Sequence, residues 1–300
     1  MTVADCIRRA WLTLGALTMP LEDEAAGYYC TTLDLGYPTV REVVDNRPDA
    51  DGIYDRTQFF GPRSISANIT AQSPAAVSVD AVAAAFAPFM VPSVRPVLHY
   101  VLERPGAVEH TITVRAANYA WPMSGGRRRD IQLQWVAADP VALGATDSTA
   151  TAWAGASEGG GRTYPLTFNR TYPGGGGEAA NGLIVTHGDV AVSPYLRIYG
   201  PITGAVVAFA VKLAPWANAL VPLLDTCRID AAHFIGIDTH AHAAYLDDDP
   251  AQPMLNQLDW TRVVWPVLPV APDETTMSLS GQNTTGISQV QATWRDRFLT

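Results

Sequence analysis

The sequence predicts a mainly β protein with two domains. Its 300 residues exceed what one small domain requires. It contains 22 Pro and 24 Gly, residue types that favour turns and interrupt long helices. Many segments alternate apolar and polar residues, and this period of two is typical of half-buried strands. We therefore expect a β domain over residues 1–150 and a second, antiparallel β-sandwich over residues 151–300.

The N-terminal segment predicts a short hairpin. Arg8 and Arg9 precede an apolar run, Ala10 to Met19, that has the length of a short signal-sequence core. Gly15 interrupts this run, and acidic residues from Glu22 onward follow it where a small-residue cleavage site would stand. We expect two short strands around Gly15.

The stretch from Tyr28 to Ala71 predicts two strands joined by a long polar connection. Alternation from Tyr28 onward stops at Gly36, and a polar passage with Pro and Asp-Gly follows up to Gly52. The chain then alternates again from Arg63. We expect a long connection between Gly36 and Gly52 that joins the two strands.

One helix is predicted, between Asp80 and Met90. Asp80 is suited to cap it, five alanines favour it, and Pro92 stops it. Pro88 must kink the helix or end it earlier. We expect the helix to pack on a sheet as part of the core.

Three strands are predicted next in an antiparallel run, at residues 97–103, 109–117 and 130–137. Residues 141–161 shift to small and polar types and are expected to join the domains, as a linker or as a strand with a flexible hairpin. Flexible loops are expected at Gly159–Gly161 and Gly174–Gly177. The second half then predicts eight short strands, at residues 183–186, 191–199, 206–213, 228–238, 241–246, 263–266, 276–280 and 288–299.

Composition argues against nucleic acid and membrane partners. The net charge is −9, whereas sequence-independent binding to phosphates needs clustered cations. The one basic run, Arg127–Arg129, is expected at a solvated hairpin tip. No membrane insertion is expected, because Lys212, Pro215 and Asn218 interrupt the most apolar window.

The three cysteines do not form a disulfide framework. Cys6, Cys30 and Cys227 are odd in number and far apart in the chain. We expect free thiols in a chain that folds in a reducing cytoplasm.

The strongest candidate for a metal site is a histidine group. His233, Asp238, His240 and His242 offer imidazole and carboxylate ligands, and on a strand the last three would share one face. The alternative, which we favour, is a polar outer face of a hairpin without a metal. The sequence therefore predicts no metal, no cofactor and no catalytic residue.

The sequence contains no local signature of an enzyme, and the alternative that stays open is a cell-wall enzyme with a glycosidase-type carboxylate pair on two distant strands. It contains no Gly-x-Ser-x-Gly elbow, and Glu22, Asp23 and Glu24 are consecutive, so their side chains would point in different directions. The aromatics would also suit a sugar-stacking platform, although we expect most of them in cores or interfaces. They are Trp121, Trp153, Tyr164, Phe168, Tyr172, Tyr195, Tyr199, Trp216, Trp260 and Trp265.

Several short motifs follow one another along nearly the whole chain. They are Asp51-Gly52, Phe60–Ile65, Phe89–Pro92, Arg95–Tyr100, Leu133–Pro140, Asn181-Gly182, Tyr199–Ile202, Ile237–Thr239, Trp265-Pro266 and Val290–Leu299. Their order resembles that of the distal tail proteins of long-tailed phages with flexible tails, a group also called siphovirus tail components, or minor tail proteins in phages of actinobacteria. In this chain, residues 268–273 replace the usual Pro-Gly-Asn turn, and the acidic turn at Asp247 lacks its glycine.

The resemblance implies both a fold and a function. It implies an N-terminal ring-forming β domain with a helix near residues 80–90, followed by a galectin-like antiparallel β-sandwich. Such a protein is a structural, non-enzymatic part of the virion at the distal end of the tail. It would form a ring, expected to be a hexamer, that connects the tail tube to hub, baseplate, fibre or tape measure proteins. In such a ring, the excursion between Gly36 and Gly52 is expected to supply an arm for neighbouring subunits. The alternative is a carbohydrate-binding module that contacts host-surface glycans, which requires exposed aromatics to cluster on one face of the second sandwich.

Overall fold

A computed structural model of the chain describes residues 7–41, 44–46, 53–55, 59–72, 79–102, 108–120, 128–155, 180–270 and 273–299. The chain divides into two compact units, Met1–Ala145 with Phe298–Thr300, and Thr146–Arg297. Both are mainly β, as predicted.

The first unit contains one short helix, α1 (Val79–Phe86), which continues as a 3₁₀ turn at Ala87–Met90. Its described strands are β1 (Ile7–Leu14), β2 (Leu17–Pro20), β3 (Tyr28–Asp34), β4 (Val40–Arg41), β5 (Val44–Asn46), β6 (Ile53–Asp55), β7 (Phe59–Phe60), β8 (Arg63–Gln72), β9 (Val97–Leu102), β10 (Glu109–Thr113), β11 (Arg115–Ala120), β12 (Arg128–Ala137) and β13 (Ala142–Gly144).

The second unit contains short strands and two 3₁₀ turns, at Pro215–Ala217 and Leu255–Gln257. Its described strands are β14 (Ser148–Trp153), β15 (Gly182–Val185), β16 (Tyr195–Tyr199), β17 (Ile202–Val211), β18 (Ala219–Pro222), β19 (Arg228–Ile229), β20 (Phe234–Asp238), β21 (Ala243–Leu246), β22 (Glu274–Gln282) and β23 (Gln289–Trp294). A last strand, β24 (Arg297–Phe298), returns the chain to the first unit.

Two antiparallel sheets and the helix enclose the core of the first unit. One sheet has the order β2-β1-β9-β10-β13-β24, and the other β11-β12-β8-β3. Leu12 of β1, Ile69 of β8 and Phe86 of α1 are fully buried in this core. Pairs β4–β7 and β5–β6 lie outside both sheets, each as a short two-stranded pair.

The predicted hairpin and helix are confirmed. Gly15 has a φ of +58° in the turn between β1 and β2, a conformation that glycine adopts at little cost. The α-helix ends at Phe86, and Pro88 lies in the 3₁₀ turn that follows, where its missing N–H removes no helical hydrogen bond.

The prediction of one strand over residues 109–117 is wrong. The chain leaves the first sheet at Val114, so β10 pairs with β9 whereas β11 pairs with β12. Val114 is fully buried at this crossing, and its N–H donates to Pro96 O at 2.9 Å. Because the alternation of apolar residues continues through a buried crossing, the sequence pattern did not reveal it.

The second unit is an antiparallel sandwich of two sheets. One has the order β14-β23-β16-β20-β21, and the other β15-β22-β17-β18, with β19 also paired to β17. Ile198, Val207, Ile237 and Met277, which come from both sheets, are fully buried in one shared core. The sandwich predicted for this half of the chain is therefore present.

Several predicted strands of this unit have different limits. Residues 228–238 form two strands, because a turn in which His233 N–H donates to Asp230 O moves the chain from β19 in one sheet to β20 in the other. Residues 263–266 form only an isolated bridge at Val264, and residues 191–194 precede β16. Strand β18 was not predicted, because its Ala-Leu-Val-Pro sequence does not alternate.

The predicted glycine loops at Gly159 and Gly174 lie outside the described residues. Cys6 also lies outside the described residues. Cys30 and Cys227 are free thiols, and burial raises the pKa of Cys30 to about 11.

No described helix has the length and apolar character that a membrane-spanning segment requires.

Candidate functional site

The histidine candidates do not share a strand face. Strand β20 ends at Asp238, whose carboxylate accepts the backbone N–H groups of His240 and Ala241 at 2.9 and 2.8 Å. This turn places His240 and His242 beyond the strand, and His242 has a left-handed φ of +55°. The predicted alignment of these side chains is wrong, because a strand period does not apply within a turn.

Two of these imidazoles instead have separate partners. His233 Nδ1 lies 2.6 Å from Asp247 Oδ2, and the His242 ring stacks on Trp265 with 4.5 Å between ring centroids. The Phe234 N–H and His233 hold the pKa of Asp247 below its usual value. Among the described residues, no group of three or more His, Cys, Asp or Glu side chains is arranged to hold a metal ion.

Two residues of the basic run belong to a strand. Arg128 and Arg129 begin β12 and pair with Gln72 and Ala71 of β8, while Arg127 lies outside the described residues. Arg129 Nη1 contacts Asp80, and Arg128 Nε lies 3.4 Å from Asp130. Neighbouring carboxylates therefore balance these charges, and they do not form a free cationic patch.

The candidate aromatics fall into three groups. Trp153, Tyr195 and Tyr199 lie on one sheet of the second unit. Trp260 and Trp265 lie in the segment before β22, with ring centroids 6.1 Å apart. Trp121, Tyr164, Phe168 and Tyr172 lie outside the described residues, and the side chain of Trp216 is not described either.

The feature of the first unit best suited to assembly is the ribbon, defined as strands β4 to β7. Val40 pairs with Phe60 and Arg41 with Phe59 near its base. Further along, Val44 pairs with Asp55. The sequence predicts a polar connection here, whereas the described residues form two short antiparallel pairs.

A buried arginine fixes the base of the ribbon. Arg63 is 2% exposed, and its Nε donates to Leu35 O at 2.5 Å and to Gly36 O at 3.1 Å. Its Nη1 donates to Pro140 O at 3.4 Å. Burial lowers the pKa of Arg63, whereas the nearby Tyr100 phenol acts in the opposite direction. These bonds set the direction in which the chain leaves β3, because a guanidinium donates along fixed directions.

Two glycines permit close backbone packing at the same place. Gly36 has a φ of +59°, and a Cβ there would lie 2.3 Å from Ser64 O. A Cβ at Gly61 would lie 2.3 Å from Thr39 Oγ1, and the Gly61 N–H donates to Thr39 O at 2.6 Å. The ribbon base therefore requires glycine at position 36, whereas a Cβ at position 61 would require Thr39 to move.

The surface around this base is apolar and exposed. The relative exposures are 77% for Tyr37, 53% for Val40, 51% for Phe59 and 48% for Phe60. Val40 and Phe60 are paired and share one face, whereas Phe59 is next to Phe60 in the strand and points to the opposite face. We call these four exposed residues the ribbon surface. A two-stranded ribbon is at best marginally stable alone, and clustered exposed apolar side chains mark interaction sites. The arrangement is suited to packing against another protein surface.

Sequence reasoning predicted an arm here but missed its anchor. The alternation from Arg63 predicts the strand, and the motif from Phe60 to Ile65 is part of the resemblance, but neither predicts a buried arginine. A usable signal was its position as the first residue of a strand in which Ile65, Ala67 and Ile69 face the core, because the same period of two places Arg63 inward.

Comparisons with known proteins identify a shared fold. No protein-family model matches the sequence, and a search of curated proteins finds no match. Among solved structures, the chain is similar to the SPP1 Dit (gp 19.1) protein, with a TM-score of 0.59, 8% identity, and coverage of 96% of this chain and 99% of that one. That protein is described as a paradigm of the hub adsorption apparatus in phages that infect Gram-positive hosts. This chain therefore has the fold of SPP1 Dit over nearly its full length.

Two chains of phage P2 baseplates align with lower scores. One comes from the activated baseplate with Ca, with a TM-score of 0.44, 10% identity, and coverage of 96% of this chain and 97% of that one. The other comes from the activated baseplate with Sr, with a TM-score of 0.42, 10% identity, and coverage of 95% and 97%.

Proposed function

We propose that the chain is a distal tail protein, a structural component of the tail tip of a long-tailed phage. The fold shared with SPP1 Dit supports this proposal, because the alignment spans both units and leaves almost none of either chain unmatched. The motif order in the sequence supports it independently. In this proposal the host cell makes the protein in its cytoplasm and the protein ends in the virion.

The observation that carries the proposal is the anchored ribbon and its apolar surface. The ribbon surface joins Tyr37, Val40, Phe59 and Phe60, each about half exposed or more. These exposed apolar side chains do not stabilise a monomer, because they remain in contact with water. A neighbouring copy that covers them would gain hydrophobic burial without a new fold.

A ring requires a head-to-tail contact, in which two different surfaces of the chain meet. The ribbon surface would pack on a different surface of the next copy, which makes the contact heterologous, and heterologous contacts form rings when their rotation closes. We propose a homo-oligomeric ring of six copies. The first unit would act as the ring-forming domain, and the second as a separate sandwich domain that faces other tail proteins.

The proposed role needs no catalysis. The ring would connect the tail tube on one side to hub, baseplate, fibre or tape measure proteins on the other. Affinity in such a joint comes from buried surface and not from reactive groups. The proposal assigns no catalytic residue, cofactor or metal to the chain.

The mass of the protein in solution tests the ring. Light scattering of the unmodified protein should give a species near six times the chain mass of 32.2 kDa. Replacing Val40→Lys together with Phe60→Glu should yield smaller species, because these cross-strand neighbours would form an ion pair that keeps the ribbon paired but makes its surface polar.

A matched control is Leu17→Glu, which changes a residue of β2 that is 52% exposed. This variant should keep the mass of the unmodified protein. Equal masses for all three proteins, or loss of the ring in the control alone, would contradict the role of the ribbon surface.

A further inference from the structure

One sheet of the second unit carries a regular set of outward side chains. Its inward positions are buried residues such as Leu196, Ile198, Ile235 and Val290. The alternate positions therefore form the opposite face. Strand pairing sets them in three rows across the sheet: Trp153, Gln289, Tyr199 and Phe234; Thr151, Gln291, Arg197, Gly236 and Tyr245; Thr149, Thr293, Tyr195, Asp238 and Ala243. We call this set the aromatic face.

The centre of the aromatic face is held rigidly. Arg197 donates to Asp248 Oδ2 from Nε at 2.9 Å and from Nη2 at 2.7 Å. The Tyr195 hydroxyl donates to Asp248 Oδ1 at 2.5 Å. The guanidinium carbon lies 5.4 Å from the Tyr195 ring centroid and 5.7 Å from that of Phe234. Stacking and ion pairing together fix the guanidinium while its side chain stays 38% exposed.

The loop that supplies this carboxylate has an unusual backbone. Asp247 and Asp248 have φ values of +52° and +58°, which cost free energy in any residue other than glycine. The adjacent strand accommodates the loop through Gly236, where a Cβ would lie 2.0 Å from Asp248 Oδ1 and 2.3 Å from the Tyr195 hydroxyl oxygen. Strained backbone that neighbouring contacts hold in place is common at binding sites.

The chemistry of the face distinguishes it from the apolar surfaces of the same unit. Its three rows contain aromatics, amides, hydroxyls, one ion-paired arginine and the carboxylate of Asp238, and no aliphatic side chain larger than alanine. Elsewhere in the unit, Leu183, Val264 and Ile287 are 58%, 52% and 57% exposed. Protein interfaces are also enriched in aromatic residues and arginine, so a protein partner is the competing occupant of this face. Flat aromatic rings beside many hydrogen-bond donors and acceptors suit a ligand with apolar ring faces and many hydroxyls.

We propose that the aromatic face binds a neutral glycan. A sugar ring would stack on Tyr199 and Phe234, whose ring centroids are 5.2 Å apart, with Trp153 at the edge of the same row. The amides of Gln289 and Gln291 and the guanidinium of Arg197 would bond its hydroxyls. This activity goes beyond the proposed tail-tip role and does not depend on it.

Saturation-transfer difference NMR tests the proposal with four disaccharides: lactose, maltose, cellobiose and N,N′-diacetylchitobiose. At least one should receive saturation, most strongly at the C–H protons of one ring face, because that face would lie against aromatic rings. Tyr199→Ala should weaken the binding by about tenfold, the effect of losing one aromatic contact. Gln291→Ala, which keeps every aromatic side chain of the face, should weaken the binding as well. This second variant tests the proposal if Tyr199→Ala fails to fold.

The control is Trp260→Ala, which removes a tryptophan that is 51% exposed and lies outside the three rows. Binding should be unchanged in this variant. Absence of saturation on all four sugars, or equal weakening by the control, would overturn the proposal. So would a change in the mass of the assembled protein in Tyr199→Ala, because that result would identify the face as a protein interface.

Discussion

Two arginines organise the surfaces proposed to bind partners, and their environments are opposite. Arg63 is 2% exposed and donates to the carbonyl oxygens of Leu35, Gly36 and Pro140. Arg197 has a side chain 38% exposed and pairs with the carboxylate of Asp248. Because Arg63 donates to backbone carbonyls, it fixes the path of the backbone. Arg197 pairs with a partly exposed carboxylate and therefore fixes only side-chain positions.

The difference in environment assigns Arg63 to stabilising the fold and Arg197 to binding a partner. Arg63 lies beneath the ribbon surface, so its loss should lower stability first and assembly only as a consequence. Arg197 is part of the aromatic face, so changes around it should affect stability little and binding more. The predictions below test that division.

The largest effect is expected from Arg63→Met. Methionine fills similar space but leaves three buried carbonyl oxygens without this donor, so the free energy of unfolding should fall by about 4 kcal/mol. Urea denaturation measures it. Arg115→Met, which changes an exposed arginine of β11, should leave stability nearly unchanged. Similar losses in both variants would show that burial of Arg63 does not support the fold.

The next effect concerns the backbone at the ribbon base. Gly36→Ala adds a Cβ at a φ of +59° and within 2.3 Å of Ser64 O, whereas Gly15→Ala adds one at +58° with nothing within 4 Å. The unfolding free energy should fall by about 3 kcal/mol in the first variant and about 1 kcal/mol in the second. The difference between the two isolates the steric clash, and equal losses would contradict it.

A third effect should appear in alkali. Burial raises the pKa of Tyr100 to about 12, although Arg63 beside it acts to lower it. Because this lies above the unfolded value of about 10, the neutral phenol stabilises the fold fully below pH 10, and about 2 kcal/mol is lost as the pH rises to about 12. The pH dependence of unfolding should be shallower in Tyr100→Phe over this range. Identical slopes for the two proteins would contradict the assigned pKa.

The smallest effect is expected from Asp248→Asn. Asparagine tolerates a left-handed φ, so the change removes mainly the charge that pairs with Arg197. Because both side chains are about a third exposed, the unfolding free energy should fall by only about 1 kcal/mol. Asp189→Asn, at an exposed aspartate, provides the control. A loss as large as that of Arg63→Met would remove the distinction between the two arginines.

Local patterns predicted the elements that depend on neighbouring residues. The turn at Gly15 and the end of the helix before Pro88 follow from backbone chemistry within a few positions. The sandwich of the second unit followed from alternation between turns. These features do not require knowledge of distant partners.

Features that depend on distant contacts were missed. The crossing at Val114 and the turn before His233 join two sheets, and alternation alone cannot show which sheet a strand enters. Burial of Arg63 depends on carbonyls up to 77 positions away. The aromatic face required the register of five strands, so the sequence indicated its residue types but not that they lie together.

The most direct test of the ring places the photoreactive residue p-benzoylphenylalanine at position 37, where Tyr37 is 77% exposed at the ribbon base. Irradiation of the assembled protein followed by peptide mass spectrometry identifies what this surface contacts. The proposal predicts crosslinks between two copies of the chain, always from position 37 to one different surface patch. Crosslinks confined to single chains, in a protein that scatters light as a monomer, would contradict it.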